Sequence, residues 1–158
     1  MALFSDDRYQ WRETYFVLFR EADRPSAEAV KQALRDGRSE ISELKADPQG
    51  KFESVTVKSP EDFSGMDITY VTGEEVTEQI DELLRELVKQ TLNDDDRTKL
   101  NTLGECNARF DIFHFEEVQA DTDDDEFLDP GALLLVLERL ARLCRGVGID
   151  PQSGSLIG

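Results

Sequence analysis

The stretch Ala108–Val118, ARFDIFHFEEV, constrains this chain more than any other. In an extended strand Phe110, Ile112 and His114 share one side, while Phe113 and Phe115 take the other. A strand that is apolar on both faces must be covered on both, so it belongs in the middle of a sheet flanked by helices. Residues 9 to 20 repeat the pattern. Tyr9, Trp11, Tyr15, Val17 and Phe19 alternate on one face, with Phe16 and Leu18 on the other from mid-strand onward. This is a second interior strand.

Between and after these two strands the elements follow from local chemistry. Arg24-Pro25-Ser26 opens a helix carrying Ala27, Val30, Ala33 and Leu34 at helical spacing, with Gly37 as its left-handed cap. Ile41 to Ala46 and Phe52 to Lys58 form a hairpin around Asp47-Pro48-Gln49-Gly50, with Leu44, Val55 and Val57 facing inward. Met66 to Val71 makes the next strand. Thr72-Gly73-Glu74-Glu75 has the form of a capping box, and Val76, Ile80, Leu83, Leu84, Leu87 and Val88 form one stripe behind it. Asn93 caps a shorter helix whose first turn is Asp94, Asp95 and Asp96, where carboxylates meet the positive end of the helix dipole; Leu100 and Leu103 anchor it.

After the central strand comes an acidic segment, residues 119 to 128, read as a surface loop. Asp129-Pro130 supplies an N-cap and a proline in the first turn of the last helix. Leu133, Leu134, Val136, Leu137, Leu140, Ala141, Leu143 and Cys144 cover about 180° of that helix, against about 100° for an ordinary surface helix. Such a helix either covers the second face of the sheet or joins a dimer interface. Gly146 ends it, and Val147 to Ile157 forms a terminal strand or hairpin.

This order of elements predicts an α+β fold with a ferredoxin-like split β-α-β sheet of about five to six mostly antiparallel strands. Two helices lie on one face, with an added C-terminal helix and a short terminal hairpin. At 158 residues, one domain spanning residues 1–158 is expected, large enough to bury roughly 68 to 70% of its unfolded surface. There is no basic head before a long apolar run and no span of membrane length. Cys106 and Cys144 match no metal or redox spacing and read as reduced core residues of a cytoplasmic protein.

The charge is the one feature that points toward function. Residues 1 to 60 carry a net −1, residues 61 to 129 a net −17, and residues 130 to 158 a net +1. The whole imbalance therefore belongs to the middle segment, which predicts an acidic face on one side of the fold. The plainer account is a solvated helix face plus an acidic loop.

Signatures of chemistry are few. His114 is the only histidine, and it is read as bonded to a carboxylate such as Glu116, the alternative being a general base at the edge of a pocket. Asp121, Asp123 and Asp125 imitate the start of a calcium loop, but Glu126 stands where glycine is needed and Ala132 where a bidentate glutamate is needed. Tyr9, Trp11 and Tyr15 resemble a base-stacking platform, yet 35 acidic against 18 basic residues argue against nucleic acid. His114, Asp121, Asp123 and Asp125 are thus the candidate ligand or partner contacts; no catalytic, cofactor-binding or metal-ligating set is assigned.

These observations favour a small acidic intracellular protein working without chemistry of its own, through an acidic surface from residues 61–129 that meets a basic protein partner. They weigh against an enzyme without deciding the point. One alternative is an inhibitor or immunity-type protein against a basic enzyme such as a nuclease. Another is a small-molecule-binding domain or enzyme with a pocket near His114. No cofactor and no membrane are expected, and monomer and homodimer both remain open.

Overall fold

The computed structural model describes residues 9–35, 40–59, 64–89, 93–117, 131–150 and 155–157. In chain order the elements are β1 (Tyr9–Phe19), α1 (Ala27–Leu34), β2 (Glu40–Ala46), β3 (Phe52–Ser59), β4 (Ser64–Thr72), α2 (Glu74–Leu87), α3 (Asp94–Leu103), β5 (Ala108–Glu117), α4 (Gly131–Cys144), β6 (Val147–Asp150) and β7 (Ser155–Ile157). The strands form one sheet in the order β2-β3-β4-β5-β1-β6-β7. The two segments richest in apolar residues on both faces, β5 and β1, are interior strands, as their patterns predict, and β5 is the central one.

Every neighbouring pair in the sheet is antiparallel. Directions therefore alternate along the strand order. β1 and β2 run parallel with β5, β4 and β3 between them, and β5 and β6 run parallel with β1 between them. A split β-α-β unit does form, from β5, α4 and β6 around β1. The expected ferredoxin-like arrangement does not, because three strands rather than one separate β1 from β2. The fold is α+β, with a different strand order.

The helices cover both faces of the sheet. Val17 and Phe19 join Phe110, Ile112, Ile68 and Val55 in one core cluster with Val30 and Leu34 of α1 and Leu137, Leu140 and Ala141 of α4. Leu18, pointing the other way, joins Val147 and Ile149 with Val76, Ile80 and Leu87 of α2 and Leu103 of α3. The layers are thus α1 with α4, and α2 with α3, so the C-terminal helix covers the face opposite α2. In the first cluster Phe110 meets Phe19 at 4.5 Å and, in a T-shaped contact, Phe52 at 5.4 Å between ring centroids. Fully burying a side chain of this size contributes about 1.5–3 kcal/mol.

Several local expectations meet their residues. Ser26 caps α1, its Oγ accepting from Ala29 N at 3.1 Å. Asn93 caps α3, its Oδ1 accepting from Asp96 N at 2.8 Å. Residues 47–50 form the β2–β3 turn, with Gly50 at φ +81°. This turn is stitched to the start of α1: Arg24 donates twice to the Phe52 carbonyl, pairs with Asp47 at 3.2 Å and stacks 3.9 Å over Tyr70. Gly37 and the Asp129-Pro130 cap lie outside the described residues.

Other expectations are corrected. Thr72 is not the cap of α2; Gly73 at φ +122° takes that place, and the Thr72 hydroxyl donates to the Asn107 carbonyl at 3.2 Å. Val88 is 63% exposed, because it keeps helical backbone but points to the side of the line through Val76, Ile80 and Leu87. On α4, Leu134, expected on the buried arc, is exposed, so that arc is narrower than expected; Leu135, off the arc, is exposed as well.

Candidate functional site

His114 lies on β5 opposite Glu13 of β1 and Met66 of β4. Its Nδ1 is 3.1 Å from Glu13 Oε1, and the residue is 9% exposed. The histidine is therefore bonded to a carboxylate, but to Glu13 across the ladder rather than to Glu116. Glu116 instead pairs with Arg12 at 3.1 Å. Burial lowers the His114 pKa below the ordinary imidazole value, opposed by the neighbouring Glu13 carboxylate. A neutral imidazole donating Nδ1–H to Glu13 accounts for both the geometry and the direction of the shift. Tyr15, next but one to Glu13, has its pKa raised by burial and then by Glu13.

A bulge separates the supposed aromatic platform. The β1–β5 register jumps between Trp11, opposite Phe115, and Glu13, opposite His114. Since β5 alternates without interruption along its ladder with β4, Trp11 shares the side of Phe115 and Tyr15 shares the side of Ile112. The two rings face opposite ways. Tyr15 packs against the α1/α4 core, whereas Trp11 is 48% exposed with its indole N–H on Thr14 Oγ1 at 3.2 Å.

The acidic middle segment divides by position. Asp67 and Asp111 point into the structure: Thr56 donates to Asp67 at 2.7 Å, and Asp111 receives Arg109 Nε and, at 3.3 Å, Nη2. Arg109 is buried under α2, where it also donates to Gln79, lies 3.6 Å from Glu75 and sits 4.9 Å from the Phe16 ring centre. Burial raises the Asp111 pKa, with Arg109 opposing. This group ties α2 to the sheet. Its one sequence signal was the Arg-x-Asp spacing, which puts both side chains on the same strand face.

Among the described residues, nine further carboxylates of this segment lie on α2 and α3. Glu74, Glu75, Glu78, Asp81, Glu82 and Glu86 of α2 are all exposed, as are Asp94 and Asp95 of α3, with Asp96 half-buried. Against these nine acids, the two helices carry Arg85, Arg97 and Lys99. In the opposite layer, α1 and α4 carry Glu28 and Glu138 against Lys31, Arg139 and Arg142. Among the described residues the helices of the two layers thus differ in charge, nine acids against three bases in α2 and α3 and two against three in α1 and α4. Among the described residues only Glu75 and Glu86 of the α2 carboxylates make ion pairs, with Arg109 and with Lys89 at 3.7 Å.

Asp121, Asp123 and Asp125 lie outside the described residues. Among those described, no group of three His, Cys, Asp or Glu side chains is placed to hold a metal ion, and no helix is long and apolar enough to cross a membrane. Both cysteines are free and buried. The class that fold and surface define is an α+β protein with one antiparallel sheet between two helical layers of unequal charge. No family model, no curated protein and no solved structure matches the chain.

Proposed function

We propose that this protein is a non-enzymatic interaction domain that docks a basic protein partner against the outer face of α2 and α3. What supports the reading is the excess of carboxylates over cations on one helical layer, nine against three, where the helices of the other carry two against three. Glu74, Glu78, Glu82 and Glu86 follow one another at four-residue spacing, and like charges so placed cost a helix roughly 0.2–0.5 kcal/mol per pair. Glu74 and Glu75 gain from the helix dipole at the first turn, but Glu82 and Glu86 lie too far along the helix for that. A surface that repels itself gains when a cationic surface covers it, and its field speeds the encounter. Occlusion of the cationic cleft of a basic enzyme, as by an inhibitor, is one specific form of this binding.

The test is a pull-down from native lysate over a salt series, using the parent chain and a Glu78→Gln/Asp81→Asn/Glu82→Gln variant. Expected is a partner held at low ionic strength, released by salt and lost by the variant, while Glu138→Gln on α4 retains it. A partner held equally by the triple variant, or held regardless of salt, overturns the proposal.

A further inference from the structure

We draw no further inference here: the strongest candidate, the Glu13–His114 side-chain pair beside Tyr15 on the β1–β5 ladder, is accounted for as a buried contact between neighbouring strands, and its one departure from an ordinary imidazole is a lowered pKa, which by itself carries no site.

Discussion

His114 shows how one buried side chain makes stability depend on pH. Its pKa in the folded protein lies below the ordinary value of about 6.5. The unfolded chain therefore binds more protons in the window below that value, and stability falls as acid is added. The contribution is complete above about pH 7 and is lost as pH drops from the unfolded pKa toward the folded one. In urea titrations at pH 7.5 and 5.5, the His114→Gln variant is expected to lose about 1 kcal/mol at the higher pH through a weakened bond to Glu13. It should also show a shallower drop between the two pH values than the parent. An unchanged drop would remove His114 as its cause.

The cysteines give a second prediction at the residue scale. Burial pushes the Cys106 thiol up to about 11 and the Cys144 thiol up to about 12. Both stay protonated at neutral pH, and the thiolate is the reactive form. In the native protein neither should react with a thiol-specific disulfide reagent on a timescale of minutes, whereas both should titrate at once in denaturant. Fast native labelling of either would contradict its burial.

At the level of elements, the end of α4 shows why a glycine can be required without a special backbone angle. The left-handed residue of this turn is Arg145, at φ +53°, and Gly146 N closes the helix on the Ala141 carbonyl at 2.8 Å. Gly146 is needed instead for closeness: a Cβ there would lie 2.3 Å from the Leu18 carbonyl oxygen. Gly146→Ala is expected to lose at least about 1–3 kcal/mol, the range for overpacking a tight site. Arg145→Gly should gain as much as about 1 kcal/mol by relieving the left-handed strain. Chemical denaturation of the two variants checks both signs.

Irregularity in the strands works on the same scale. β2, at the sheet edge, breaks register between Ser42 and Lys45 around Glu43 at φ +52°. β1 bulges at Arg12, where Gln10, Trp11 and Arg12 are exposed. At the β2 edge, the bulge and the exposed charges of Glu40, Glu43 and Lys45 discourage the addition of a foreign strand.

For the whole molecule, the difference in charge between the α2/α3 and α1/α4 layers predicts how stability responds to salt. Repulsion among the α2 carboxylates is exposed and so is screened over a Debye length of about 10 Å at 0.1 M. The melting temperature of the parent should rise as sodium chloride is added from low ionic strength. A Glu78→Gln/Glu82→Gln variant should melt higher than the parent at low salt and gain less from added salt. If parent and variant respond alike, the α2 face is not where the repulsion lies.

Much of the fold is legible in the residues themselves. Alternation placed β1 and β5 inside the sheet, the Asp47–Gly50 turn made a hairpin, and Ser26 and Asn93 marked the starts of α1 and α3, because each of these depends on neighbours within a few positions. The acidic character of α2 and α3 could be read in the same way. Only the tertiary structure decided what depends on distant partners: the strand order around β5, the pairing of α1 with α4, the choice of Glu13 for His114, and the burial of Arg109 beneath α2. The bulge at Arg12 belongs with these. It adds one residue to the count and so turns Trp11 away from Tyr15, a change that alternation in one strand does not reveal because it is set by register against the next.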